Sequence, residues 1–406
     1  MDARTRRTLI ATALALGLAA GPAAAAQPRS PAAQSAHQQR PVPAGDAADL
    51  AAALAGLPGA DTTAALVRVG GTRGTWRGSA GVHDLASGRP ADPDARFRIG
   101  SVTKVFTAAT VLRLAARGRI DLDRTARSYL PDLVPAAYAG VTVRQLLNHT
   151  HGIPAARSST STVEEAYADR FTVHDPRETA RSALSLPREF APGTAQHYLN
   201  IGYTLAGLIV ERVTGDAFAH QVEREVLRPL GLRDTYSPGT SPYLTGPYNH
   251  GYQVMDRGDG TRGPRDVSAW TVTDAWAAGD LVSTTADLER FTRALFAGKL
   301  LEGPLLEEMF TLPRDASGAL LHDHEKPSLT AAYAVGLSVT RLGGHEVWGK
   351  TGGRWGYNTA VAATRDGGRT LVYSVNATDA KGQDMNATAL GIVTAAYGRP
   401  DAPRGR

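Results

Sequence analysis

Ser101-Val102-Thr103-Lys104-Val105-Phe106-Thr107-Ala108-Ala109-Thr110-Val111-Leu112-Arg113-Leu114-Ala115-Ala116 is the stretch that decides the fold. Apolar and small residues occupy every side of it, and Gly118 closes it. A surface helix carries one apolar stripe, whereas a helix that is apolar all round is buried. The run therefore predicts a helix at the heart of a domain. Its first turn holds a serine and, three residues on, a lysine, which share one helix face.

Upstream, Ala64–Val69 and Thr75–Val82 have strand composition around a Gly70-Gly71 turn. Before them, 46–57 is rich in Ala and Leu, begins with acidic residues and ends at Pro58-Gly59, which reads as a helix with a stop. Downstream, about 120–270 holds helical stretches interrupted by Pro, Gly and Thr, the clearest being Thr142–Leu147, Val163–Tyr167 and Ile201–Val213. Alternation of strand type returns at Val335–Val339, His345–Lys350, Tyr357–Ala363 and Thr370–Val375, and a last helix spans Asp384–Tyr397. No internal repeat is present. The expectation is an α/β (α+β) fold, an antiparallel sheet flanked by helices. Its α/β lobe comes from about 46–120 and 270–397. A mainly helical lobe, about 121–269, is inserted, and 398–406 is a polar tail.

Arg4, Arg6 and Arg7 precede an apolar run from Leu9 to Ala20, and Ala24-Ala25-Ala26 offers a small-x-small site. This is the layout of a secretory signal peptide, with cleavage expected near Ala26 and a secreted, extracellular product. The run is shorter than the roughly 20 residues of a membrane span, and no other long apolar run exists. Residues 27–45, rich in Pro, Ala and Gln, read as a flexible linker, leaving 46–397 as the folded domain. The chain has no cysteine, which excludes disulfides and thiolate catalysis. Its formal net charge of +5 is scattered, with no basic run to suggest nucleic acid.

Three short motifs carry chemistry. A serine hydroxyl is a weak nucleophile until a neighbouring base takes its proton, and Lys104 is placed to do so for Ser101. A helix N-terminus adds backbone N–H groups near the reacting oxygen. Serine is also a good helix cap, so this motif alone says little. Tyr198-Leu199-Asn200 sets a phenol and an amide on one side of an extended turn, just ahead of the helix near Ile201; capping is the plainer role for that asparagine. Lys350-Thr351-Gly352-Gly353 ends a strand-like run: lysine and threonine can grip a carboxylate, and glycines let a ligand lie against the strand. With only five lysines in the chain, Lys-[Ser/Thr]-Gly arises by chance at only a few per cent, roughly, at ordinary composition.

In that order and spacing, S-x-x-K, Y-x-N and K-T-G resemble the penicillin-recognising serine hydrolases: class C β-lactamases, serine D-alanyl-D-alanine carboxypeptidases and related esterases. Phe97-Arg98-Ile99-Gly100, Thr142–Thr150, Pro192-Gly193 and Ala278–Thr284 strengthen the resemblance, which spans about 60–395. It implies a β-lactamase/transpeptidase-like fold in which Ser101 is acylated and Lys104 and Tyr198 share the proton work. By the same resemblance Asn200 holds the acyl side chain, Lys350 and Thr351 hold a substrate carboxylate, and Gly352-Gly353 bring the Gly353 N–H beside that of Ser101 as an oxyanion hole. Trp276 would be an aromatic wall of the cleft. The implied substrates are a peptidoglycan stem peptide ending in D-Ala-D-Ala or another small acyl compound, with β-lactams as covalent ligands and no cofactor or metal. His151 and Ser338 depart from the pattern, the latter where carboxypeptidases have an arginine; Lys350 stands where those relatives often carry histidine. Arg354 is the nearest substitute for the missing arginine.

Other readings are weaker. Gly344–Thr351 satisfies a phosphate-loop expression, but its interior reads as strand and no helix follows. His322-Asp323-His324 lies in a polar stretch without a helical metal-ligand pattern, and no G-x-S-x-G elbow is present. A non-catalytic wall-binding protein on the same fold is the bland alternative.

Overall fold

A computed structural model describes residues 40–158, 160–382 and 384–398; the expected leader, most of the linker and nearly all of the tail lie outside them. Two strands near the N-terminus, β1 (Thr62–Gly70) and β2 (Trp76–Gly81), join four late ones, β3 (Ser338–Leu342), β4 (His345–Arg354), β5 (Tyr357–Thr364) and β6 (Thr370–Ala377). Together they form one antiparallel sheet in the order β2-β1-β6-β5-β4-β3, with β1 paired to the last strand.

Both faces of this sheet are covered. On β1, Leu66 points to one core while Ala65, Val67 and Val69 point to the other; on β6, Val372 faces the first and Leu371, Tyr373 and Val375 the second. The second core is closed by two helices, α1 (Ala44–Ala52) and α5 (Ala387–Tyr397), through Leu50, Ile392 and Tyr397. The first is closed by α2 (Thr103–Ala116) and α4 (Thr285–Phe296), whose Phe106 and Phe291 stack with ring centres 3.9 Å apart. The Ser101 run is thus the buried helix expected, and Phe106, Ala109, Val111 and Leu112 have no exposed surface. A further long helix, α3 (Ile201–Thr214), packs beside α2 with the short helices Val143–Leu147 and Pro176–Leu184.

The structure corrects the sequence reading in three places. The first late strand begins at Ser338, not Val335, because Gly336 takes φ +83° and the Ala334 N–H bonds to the Leu337 carbonyl in a tight turn. The 121–269 region contains an unexpected hairpin, Tyr252–Asp256 with Arg262–Asp266, whose charged turn hides its strand character. α4 was not anticipated at all, although Thr284 caps it by accepting from the Asp287 N–H.

Candidate active site

The geometry around Ser101 begins with the residue before it. Gly100 has φ +51°, a conformation that favours glycine, and turns the chain from the Phe97–Arg98 strand into a 3-10 turn, Gly100–Val102. Ser101 is left at the N-terminal end of α2, half-buried. Two threonines of α2 fasten the 277–281 segment across it: Thr107 donates to the Ala277 carbonyl at 2.6 Å, and Thr103 accepts from the Leu281 N–H at 3.1 Å.

Lys104 is completely buried, and its Nζ reaches Asn200 Oδ1 at 2.7 Å, the Ala278 carbonyl at 3.0 Å and Ser101 Oγ at 3.1 Å. Burial, reinforced by the charge of Lys350, pulls its pKa down to about 8. The three partners are not equivalent. Asn200 Oδ1 and the Ala278 carbonyl can only accept, so a neutral amine keeps its two N–H groups on them. Its lone pair then faces Ser101 Oγ, the one partner with a hydrogen to give. Asn200 stands at the N-terminus of α3 but makes no side-chain cap bond there; its amide serves Lys104 instead.

Tyr198 sits on the loop before α3. Lys104 Nζ lies 5.0 Å from its ring centre, and among the described residues its buried hydroxyl has no hydrogen-bond partner of regular geometry. Its ring stacks on Tyr333 at 4.7 Å and leans on His149 at 4.5 Å. His149 is held at φ +63°, is fully buried and stays neutral, its pKa driven well below the ordinary value by burial and by Lys104. Its Nδ1 accepts from the Leu199 N–H at 3.4 Å, and its carbonyl accepts from the His197 N–H. Gln196 completes the support: buried, it donates to the carbonyls of Asn148 and Tyr333 at 2.7 Å and accepts from the N–H groups of Ala332 and Tyr333. Neither His149 nor Gln196 stood out in the sequence, because their roles are set by partners more than a hundred residues away or by backbone conformation. The departure at His151 is a packing matter: the ring is buried against Gly202, and its Nδ1 accepts from Ile153 N–H at 2.9 Å.

The third element is the edge of β4. Arg354 and Tyr357 close a two-residue hairpin, so that pair and every second pair before it, 352/359 and 350/361, exchange the hydrogen bonds with β5. Thr351 and Gly353 therefore turn their backbone N–H and C=O groups away from β5. On that side β3 covers β4 only as far as Gly349, which pairs with Ser338. The backbone of Thr351 and Gly353 faces an open strand edge, and that edge meets the serine. A Cβ on Gly352 would stand 2.0 Å from the Ile99 carbonyl oxygen, and one on Gly100 would stand 2.7 Å from the Gly353 nitrogen. Lys350 is buried, pushed down to about 7 by that burial, with Nζ donating to the Thr351 carbonyl at 2.9 Å; Thr351 itself is exposed.

A cavity of about 580 Å³ adjoins Asn200 and is walled by Trp270 and Trp355. Trp276 does not line it: the indole packs on Phe218 with ring centres 5.2 Å apart and against Gly207 of α3. That correction has a local cause, the backbone at Trp276, where φ +36° turns the chain so that Ala277 and Ala278 meet α2. Arg354 is not free to replace the missing arginine. It is buried and forms a two-pronged ion pair with Asp274, at 2.8 and 3.0 Å. The Ser338 hydroxyl donates to the Gly349 carbonyl at 3.1 Å. Gly344–Thr351 runs into β4 with another strand after it, not a helix, which removes the phosphate-loop reading. Among the described residues no group of three or more His, Asp or Glu side chains is placed to hold a metal.

The chain matches a family model described as Beta-lactamase over residues 20–395. Among curated relatives it is 36% identical to Esterase EstB of Burkholderia gladioli over 39% of this chain and 43% of that protein. It is 25% identical to Penicillin-binding protein 4* of Bacillus subtilis over 73% of this chain and 64% of that protein, so the matches span about two fifths to just under two thirds of these relatives. Among solved structures it is 32% identical to a D-stereospecific amidohydrolase from a Streptomyces species, with TM-score 0.72 over 86% of this chain and 98% of that one. A D-amino acid amidase from Ochrobactrum anthropi SV3 follows at 26% identity and TM-score 0.68, over 82% and 90%. The match over nearly all of the chain and the shared architecture agree: this chain belongs to the beta-lactamase family of serine hydrolases.

Proposed function

We propose that the chain hydrolyses small amide or ester substrates through an acyl-enzyme on Ser101, most suitably as a D-alanyl-D-alanine carboxypeptidase-type enzyme. The observation that carries this is the three-way contact of Lys104, which aims its lone pair at Ser101 Oγ and nowhere else. In this reading Ser101 Oγ attacks the acyl carbonyl and Lys104 takes its proton. Charge on the carbonyl oxygen falls between the N–H groups of Ser101 and Gly353. Tyr198 passes the proton to the leaving group, and water then releases the acyl group. Lys350 and Thr351 hold the leaving group's carboxylate, and Asn200 steadies the acyl side. This reading takes the export expected from the N-terminal residues to bring the activity to the cell wall.

A second reading, cleavage of D-amino acid amides, draws support from the likeness to the Streptomyces amidohydrolase, which covers nearly all of that chain. Turnover of a D-Ala-D-Ala peptide, a D-amino acid amide, a chromogenic cephalosporin and an aryl ester ranks the substrates. Penicillin or a fluorophosphonate should add one adduct, on Ser101, that Ser101→Ala abolishes without loss of fold. An adduct elsewhere, or undiminished turnover by the variant, would overturn the assignment.

A further inference from the structure

The open edge of β4 presents two carbonyls, those of Thr351 and Gly353, and each is already occupied by a lysine amine. Lys350 Nζ donates to the first at 2.9 Å and Lys381 Nζ to the second at 2.9 Å. An uncovered strand edge ordinarily recruits an extended ligand through its carbonyls, which take the ligand's N–H groups. Here each of these carbonyls already accepts from an amine, and beside them the edge offers N–H donors of its own and two cationic groups. The groups it is fitted to meet are acceptors and anions.

Lys381 lies on the loop between β6 and α5 and lines the cavity that adjoins Asn200. Its residue is exposed, and one contact with a carbonyl leaves an ammonium two further donors. Of the other cations lining the cavity, Arg354 is neutralised by Asp274 and Arg157 belongs to the 155–160 stretch, away from the strand edge, whereas Lys381 is held at that edge and forms no ion pair among the described residues. The cavity's remaining carboxylates, Asp169, Asp175 and Glu178, belong to the 169–178 segment, not to the strand edge. Two residues of strand separate Thr351 from Gly353, about 7 Å, so the two amines stand on either side of a bond held at the Gly353 N–H.

We propose that Lys381 is a specificity-determining residue that selects an anionic or carbonyl-bearing group on the acyl half of the substrate, and disfavours a cationic one. This rests on Ser101 as the acylated residue, with the leaving group toward Lys350 and the acyl group toward Asn200. A short acyl chain ending in a carboxylate satisfies Lys381; an acyl group with a free amine is repelled by it, so this inference stands against the D-amino acid amide reading and with the carboxypeptidase or esterase one.

Three aryl esters of matched length and identical leaving group test this: p-nitrophenyl butyrate, mono-p-nitrophenyl glutarate and p-nitrophenyl 4-(trimethylammonio)butyrate. The wild-type protein should prefer the glutarate in kcat/KM by about tenfold, the scale of one charge-assisted contact, with the cationic ester last. Lys381→Met should erase that preference while keeping the butyrate rate within about twofold, and Lys381→Glu should invert it. Butyrate turnover that depends on Ser101 reports separately on the proposed function. If butyrate is cleaved but the three esters are equivalent, if the cationic ester is best, or if Lys381→Met lowers all three alike, the role of Lys381 is overturned. If butyrate is not cleaved at all, both readings fall.

Discussion

Lys350 Nζ lies 4.6 Å from the centre of the Tyr198 ring and Lys104 Nζ 5.0 Å, so the phenol is close to two buried amines. A phenol close to both amines can pass a proton from one toward the other. Among the described residues the Tyr198 hydroxyl makes no hydrogen bond of regular geometry, although it stands close enough to Lys104 to favour that amine's charged form. A buried unsatisfied hydroxyl costs about 1–3 kcal/mol. Tyr198→Phe should therefore leave the thermal midpoint equal to or above that of the parent, while kcat for an amide falls by about a hundredfold or more. A variant that melts earlier and keeps its kcat would show that the phenol is structural.

The contact between Lys104 and Ser101 makes a prediction about pH. The amine must be neutral to accept a proton, and burial places its pKa at about 8. The rate of Ser101 acylation should rise with pH and level off above that value, well below the range of an exposed lysine. Lys104→Arg should acylate slower by about a thousandfold, because guanidinium stays protonated throughout. Stopped-flow acylation across pH 6–10 reads both; a flat profile, or near-normal acylation by the arginine variant, removes Lys104 as the base.

Much of this was legible in the chain because the residues concerned are local. Ser101 and Lys104 are one helical turn apart, and Lys350 to Gly353 are consecutive on one strand. Burial of α2 followed from its all-round apolarity. What the sequence concealed depends on long-range partners. Whether Arg354 is free is decided by Asp274, 80 residues away, and which core receives Trp276 is decided by Phe218 and Gly207. Lys381 carries no motif, and its place beside Gly353 arises only when the loop after β6 folds back on β4.

Lys350 is pushed down to about 7, so near neutrality it is only part charged. A substrate carboxylate arriving beside it restores the proton. Selection for a free-acid peptide over its methyl ester should be strongest below pH 7 and fade above it. Lys350→Met should reduce kcat/KM for the acid by about ten- to a hundredfold and for a neutral aryl ester much less. Equal losses on both substrates would move Lys350 from carboxylate binding to the proton relay.

Asp280 gives a stability prediction away from the chemistry. It is buried, one carboxylate oxygen accepts from the Ser237 hydroxyl at 2.6 Å, and the other has no partner among the described residues. Burial raises its pKa to about 7. A raised carboxyl favours the fold while protonated, so its contribution is intact at acid pH and is lost as pH rises through 7. Asp280→Asn cannot ionise. Between pH 5.5 and 8.5 its melting temperature should gain about 2 °C or more on the parent. Parallel melting curves across that range would show that the carboxyl is already ionised in the fold at pH 5.5 and that its pKa is not raised.

The pairing of β1 with β6 has a consequence for how the protein is made. Ser101, Lys104, Tyr198 and Lys350 are all synthesised before residues 370–377. Until they arrive, β1 has no partner on that side and the sheet behind the serine is in two pieces, β1-β2 and the β3-β4-β5 meander. A nascent chain stopped after Thr364 thus carries every residue of the proposed chemistry and none of the seam that joins them.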